Sequence, residues 1–173
     1  KIIKSDFIVH LAGINRTKNN SEFIDINDKL TKHICNIVYK NYTETNKKIP
    51  ILFTSSTQAK LNNEYGISKL NGEKHLEEIN EKINNPIYIL RLPNVFGKWC
   101  KPNYNSVVAT FCNNIANGIP IKINDPKKTL NLVYIDDLIK VIINIIINQN
   151  DSTSINIYPQ YKVTLKDLAN KIQ

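Results

Sequence analysis

The chain has 173 residues, 42% of them hydrophobic and 22% charged, the balance of an ordinary globular protein with a sizeable core. Its net charge of +8 comes from dispersed lysines whose only tight doublets are Lys47–Lys48 and Lys127–Lys128. No basic block is interleaved with aromatics, so a solvated surface that helps attract a polyanionic small molecule is expected, and a nucleic-acid partner is not. The longest apolar tract, residues 141–147, is broken by Asn144 and is far too short to span a bilayer, so no membrane partner is expected. Cys35, Cys100 and Cys112 are an odd set without CxxC spacing, which points to free thiols used as small apolar groups in a reducing cytosol. With no signal-peptide pattern at the start, a cytoplasmic location is expected.

In chain order, Asp6-Phe-Ile-Val-His-Leu-Ala12 is a short apolar run ending at Gly13 and reads as a strand buried on both faces. Phe23, Ile26, Leu30, Ile34, Ile37 and Val38 then recur at helical spacing through about Tyr42. Pro50 opens a second buried strand, residues 51–54, and a helix is expected over about 64–82, broken at Asn85–Pro86. A third strand, residues 87–91, ends before Pro93. Apolar strands alternating with helices are the pattern of a parallel sheet covered by helices.

After Gly97 the pattern changes. Helical spacing is expected over 105–117, short strands over 120–123 and 130–135, and a helix to about Asn148 capped by Asp136 or Asp137. Thr164 is expected to cap a last helix, and residues 150–154 read as a loop. The expected organisation is a helix-covered parallel sheet over residues 1–97 and a small lobe packed on it over 98–173.

Tyr65-Gly-Ile-Ser-Lys69 carries the strongest chemical signal. A spacing of four on a helix sets Tyr65 and Lys69 side by side on one face. An ammonium near a phenol lowers the phenol's pKa, because it favours the phenolate. Bringing a free tyrosine to neutrality takes about 4 kcal/mol of differential stabilisation, which Lys69 and a positive nicotinamide ring could largely supply. Such a phenol can give a proton to a carbonyl oxygen or take one from an alcohol. Thr54-Ser-Ser56 ends the preceding strand, where open α/β sheets bind ligands, and a hydroxyl there can reach the same oxygen. Ser56 is expected in that place, with Ser55 as the alternative if Ser56 points to the other end.

His10-Leu-Ala-Gly13, Thr54-Ser-Ser56, Tyr65-Gly-Ile-Ser-Lys69, Arg91-Leu-Pro-Asn94-Val-Phe-Gly97 and Val133-Tyr-Ile-Asp-Asp137 resemble, in order, successive motifs of the extended short-chain dehydrogenases/reductases, the NAD-dependent epimerase/dehydratase family. The stretch from Phe96 to Cys112 narrows the resemblance to reductases of capsule and O-antigen sugar synthesis. These act on a UDP-linked 4-keto-6-deoxy-N-acetyl-hexosamine on the route to UDP-N-acetyl-L-fucosamine. The resemblance implies a Rossmann-like, doubly wound parallel sheet with a small C-terminal α+β substrate lobe. It implies residues 1–97 as the remainder of the cofactor domain and 98–173 mainly as the substrate lobe, NADPH as cofactor, with NADH or NAD open, and a UDP-sugar substrate; no metal site is expected within residues 1–173. It also implies a homodimer through the helices at 21–42 and 64–82, although their many outward Lys and Glu weigh against it.

By the same resemblance Ser56 hydrogen-bonds the substrate carbonyl, Tyr65 is the proton donor, and Lys69 binds the nicotinamide ribose. Leu11, Ala12, Gly13 and Thr54 lie against the cofactor, Asn27 contacts it from the following helix, and Pro93 lies near the nicotinamide. Asn94 contacts the substrate pyrophosphate. Read on their own, Asn27 is either that contact or an exposed helix residue, and Asn94 either a substrate ligand or a turn residue beside a proline. Trp99 and Tyr104 either wall the sugar or uracil pocket or pack a loop against the lobe.

Two departures bear on this. Ser56 and Tyr65 are only nine residues apart, which matches the capsule reductases and weakens transfer of loop contacts from distant relatives. The glycine-rich first βα turn does not occur in the sequence, so an N-terminal βαβ unit of ~30 residues or more is expected to be missing. Residues 1–173 alone are then expected to hold NADPH poorly and to be inactive, for want of a helix N-terminus under the pyrophosphate. The triad alone leaves a nucleotide-sugar 4-epimerase with bound NAD open, and a non-catalytic cofactor-binding scaffold is the reading from another class. A dehydratase is disfavoured, because Thr57-Gln58 follow Ser56 where those enzymes carry an Asp–Glu pair.

Overall fold

The computed structural model describes residues 2–149, 155 and 157–173; the loop read at 150–154 lies outside the described residues. The chain forms two compact units, Lys1–Leu92 with Gln149–Asn156, and Pro93–Asn148 with Ile157–Gln173.

The first unit is built on a parallel sheet of β1 (Ile8–His10), β2 (Ile51–Ser56) and β3 (Ile87–Leu92), in the order β1-β2-β3. Ile51, Phe53, Ile87 and Ile89 alternate onto one face of β2 and β3 and pack with Cys35, Val38, Leu76 and Ile79. The last four come from α1 (Lys29–Thr45) and α2 (Glu64–Ile83). Burying each such side chain contributes about 1.5–3 kcal/mol, which makes this cluster the main stabilising feature of the unit. The strand expected over residues 6–12 pairs only at Ile8–His10, and it is not buried on both faces: Val9 and Leu11 are exposed. Among the described residues β1 pairs only with β2, so it lies at the edge of the three-stranded sheet with its outer hydrogen-bonding edge open.

Local chemistry sets the helix ends. α2 starts where the Asn63 side chain accepts the Gly66 N–H at 2.8 Å. It stops at Asn84, whose left-handed backbone (φ 51°) returns its N–H to Asn80 O. Asn46 (φ 57°) ends α1 in the same way, carrying that helix three residues past the expected Tyr42. Ahead of α1, Phe23–Asp28 is wound as a π-helix, a wider turn that helical spacing alone does not reveal.

The second unit holds a mixed sheet of β4 (Asn94–Phe96), β5 (Thr129–Tyr134) and β6 (Tyr161–Thr164), with β4 parallel and β6 antiparallel to β5. Phe111 of α3 (Val107–Ala116), Leu132, and Leu168 and Ala169 of α5 (Leu165–Ile172) form its core. The strand expected at 120–123 is not formed. Ile121 and Ile123 pack against the core without a strand ladder, and Pro120 has no N–H to offer one. Asp136 and Asp137 do not cap α4 (Ile135–Asn148) but lie in its first turn, because the helix starts directly from β5. There they complement the helix dipole and pair with Lys98 and Lys140. Thr164 caps α5 as expected, accepting the Asp167 N–H. Of the free thiols only Cys35 is buried, its pKa pushed up to about 12 by desolvation, while Cys112 is exposed and packs no core.

Candidate active site

The C-terminal end of β2 brings Thr54, Ser55 and Ser56 against α2, and each meets a different residue of one helical stripe. The Ser56 hydroxyl lies near enough to the Tyr65 phenol to draw its pKa down. The Lys69 ammonium donates to Thr54 O at 3.0 Å and lies 4.8 Å from the centre of the Phe53 ring. The Ser55 hydroxyl donates to Glu73 Oε1 at 2.5 Å, so Ser55 is engaged elsewhere and Ser56 is the hydroxyl beside the phenol. Residues 65, 69 and 73 are spaced by four, which puts all three on one face of α2. Gly66 and Gly72 let that face approach. A Cβ on Gly66 would fall 2.2 Å from Gln58 O, and one on Gly72 would fall 2.9 Å from the Phe53 ring.

Protonation in this group is governed mainly by burial. The Tyr65 phenol is pushed above its ordinary range by desolvation, and the Ser56 hydroxyl pulls it part of the way back. That reverses the lowering expected from Lys69: desolvation disfavours the phenolate, and the ammonium is bound to a backbone carbonyl instead. Lys69 is itself drawn down to about 8 by burial, against the upward pull of Glu73. His10, 3% exposed, is lowered to about 4, first by burial and then by Lys69.

Asn27 is 1% exposed, so the alternative of an exposed helix residue fails. The π-helical turn aims its amide inward. Its Oδ1 accepts the Ile14 N–H at 2.8 Å, and its Nδ2 donates to Ile14 O at 2.9 Å and to Ser68 Oγ at 3.1 Å. It thereby holds the loop after β1, whose Leu11, Ala12 and Gly13 are exposed. A Cβ on Gly13 would meet Asn27 Oδ1 at 2.8 Å and Lys69 Nζ at 3.2 Å, so only glycine lets this backbone come so close to the amine.

Pro93, Asn94, Trp99 and Tyr104 belong to the second unit. Asn94 is exposed and its amide donates to Asn131 O at 3.2 Å across the β4–β5 pair; it starts a strand rather than sitting in a turn. Trp99 is 99% exposed with φ 65°, so it packs no loop against the unit, and Tyr104 is exposed too.

The model of the NAD dependent epimerase/dehydratase family matches residues 1–158. The chain belongs to this epimerase/dehydratase family. It is 45% identical over 174 aligned positions to the UDP-2-acetamido-2,6-beta-L-arabino-hexul-4-ose reductase of Pseudomonas aeruginosa, covering 99% of this chain and 46% of that protein. It is 43% identical, with a TM-score of 0.82, to the crystal structure of the capsular polysaccharide assembling protein CapF from Staphylococcus aureus, again covering 99% and 46%. The chain thus spans about half the length of these relatives. UDP-glucuronic acid 4-epimerase from Bacillus cereus, solved in complex with UDP-glucuronic acid and NAD, shares the Rossmann-like α/β fold at 19% identity and a TM-score of 0.82, covering 99% of this chain and 62% of that one.

The epimerase/dehydratase family implies a nicotinamide cofactor, and the donor set at the end of β1 fits its ribose end. Lys69 Nζ has three N–H donors and, among the described residues, one acceptor, Thr54 O. The side-chain-free Gly13 backbone lies beside it.

The sequence reading did not single out Ser55, Glu73 and Arg91 as a network. Glu73 is 1% exposed and takes Arg91 Nε at 2.9 and 3.1 Å and Arg91 Nη2 at 2.5 Å, besides the Ser55 hydroxyl. The available signal was the second four-residue step after Tyr65, from Lys69 to Glu73.

Proposed function

We propose that the full-length protein reduces the C4 ketone of a UDP-linked 4-keto-6-deoxy-N-acetyl-hexosamine with NADPH, in the making of capsule or O-antigen sugars. The observation that carries this reading is the buried Lys69 ammonium held on Thr54 O one helical turn from Tyr65, with Ser56 near enough to act on the phenol. The 45% identity to a 4-ketose reductase over 99% of the chain supports the reduction of a ketone.

In this reading the bound nicotinamide supplies the hydride, and the chain's own residues handle the oxygen. Ser56 donates a hydrogen bond to the ketone oxygen. Tyr65 passes its phenolic proton to that oxygen as negative charge develops there. Burial holds Tyr65 protonated, the state that a reduction needs at its start. Lys69 holds the ribose and stabilises the phenolate left after the transfer. Leu11, Ala12 and Gly13 line the cofactor, anchored through Asn27, and Pro93 lies near the nicotinamide. Asn94, Trp99 and Tyr104 are assigned to the nucleotide-sugar.

The test is NADPH oxidation by the full-length protein with the UDP-4-keto sugar, with mass spectrometry of the product. Tyr65→Phe is expected to cut turnover by about 100-fold or more, since general acid catalysis contributes ~10²–10⁴. NADPH affinity, read by titration, is expected to hold. Near-normal turnover in Tyr65→Phe would remove Tyr65 from the chemistry. Sugar interconversion without net NADPH oxidation would replace the reductase with an epimerase.

A further inference from the structure

The stripe on α2 does not end at Lys69. Tyr65, Lys69 and Glu73 meet Ser56, Thr54 and Ser55 respectively, so three consecutive residues of β2 engage three successive turns of one helix. The third pairing is the most deeply buried, and the chemistry above gives it no task. Ser55 and Arg91 lie directly opposite each other in the β2–β3 register, and both reach across to the Glu73 carboxylate. A carboxylate that is 1% exposed persists as an ion only with a cationic partner and several donors, and here it has both.

The geometry points to Glu73 as a positioning residue for the Ser56–Tyr65–Lys69 site: clamped by Ser55 and Arg91, its carboxylate ties α2 to the ends of β2 and β3 and sets a negative charge one helical turn from the Lys69 ammonium. The inference rests on the proposed proton-transfer role of Tyr65 and Lys69. Lys69 is 5% exposed, and among the described residues its one neutral acceptor is Thr54 O. Among the described residues the charged and titratable groups acting on it are His10 from β1 and Glu73 from α2, with Tyr65 one turn away on the same face. Arg91 from β3 is engaged by Glu73, with Glu77 also acting on it. Among the described residues, Glu73 is the group that brings a negative charge to bear on Lys69, and its influence is upward, against burial. Without it the amine moves toward its neutral form near neutrality, where it can no longer stabilise a phenolate.

The test reads Lys69 directly, by NMR titration of the labelled lysine side chains in the full-length protein. Lys69 is assigned by its absence in Lys69→Met. In Glu73→Gln, which keeps the shape and leaves Arg91 partly hydrated, the Lys69 midpoint is expected to fall by about one pH unit. Glu73→Asp is expected to restore most of it. The double variant Glu73→Gln/Arg91→Gln, which leaves no guanidinium unpaired, is expected to lower it as well. An unmoved Lys69 midpoint in either folded Gln variant, with only a loss of thermal stability, would reduce Glu73 to a structural strut and overturn the proposal. The alkaline limb of ketone reduction is expected to move to lower pH together with the amine. If Lys69 shifts but the wild-type protein reduces no ketone, the functional reading fails and the Glu73–Lys69 coupling stands. If ketone is reduced and Lys69 does not shift, the coupling fails alone.

Discussion

His10 is a neutral imidazole held in place by its neighbours. The Thr31 hydroxyl gives its one proton to Asn27 O at 2.6 Å, so at its 2.9 Å contact with His10 it can only accept, and His10 Nε2–H donates. The ring also lies on Phe53, 5.2 Å between centroids, and faces the charge of Lys69. The folded protein therefore protonates His10 only near about 4, whereas the unfolded chain does so near 6.5. Between those values the unfolded state binds the extra proton. The stability that His10 contributes is thus complete above pH 6.5 and is lost as pH falls toward 4. Urea unfolding of wild type and His10→Gln across this range is expected to show the wild-type advantage shrinking as pH drops; a constant difference would contradict the assignment. At this scale Tyr65 and Lys69 were legible because a spacing of four on a helix is a local fact. Glu73 sits at the same spacing but was not read, because sequence does not tell a fully buried carboxylate from a solvated one and its partners come from two separate strands. The direction of the Tyr65 shift was misread for a related reason: spacing reports the nearness of Lys69, while desolvation depends on the whole surrounding fold.

The start of α2 is where an element fixes the chemistry. Its first turn packs under the 3₁₀ turn Thr57–Lys60, and Gly66 is the residue that permits it. Replacing an ordinary helical glycine by alanine stabilises a helix by roughly 0.8–1.0 kcal/mol. At Gly66 the opposite is expected, because the new Cβ would lie 2.2 Å from Gln58 O and 2.8 Å from Leu61 O, both backbone atoms that cannot swing away. Gly66→Ala is expected to destabilise by about 1–3 kcal/mol in chemical denaturation, the range of overpacked sites. A stability equal to or above wild type would show that this turn has room to move. β2, β3, α1 and α2 were legible as elements because their apolar residues recur at the strand or helix period. β4 and β6 were not. They are three and four residues long, carry Asn94, Tyr161 and Lys162, and become strands only through their pairing with β5. Residues 120–123 had the strand-like alternation without a partner strand to pair with.

Across the whole molecule, membership of the epimerase/dehydratase family and the parallel α/β sheet agree with the order of motifs along the chain. That much was legible because a parallel sheet needs apolar strands separated by helices, and the chain writes them in sequence. The mixed sheet of the second unit was less so, since its strands meet across gaps of tens of residues. In the proposed function Ser56, Tyr65 and Lys69 serve hydride delivery to a sugar ketone. The most direct measurement supplies full-length protein with UDP-4-keto sugar and NADPH deuterated at the nicotinamide C4, in ordinary water, and locates the label by NMR. Deuterium on the sugar C4, with the new hydroxyl proton drawn from the medium and the transfer largely lost in Tyr65→Phe, is the result expected. A product sugar without deuterium at C4, or labelling undiminished in Tyr65→Phe, would contradict it.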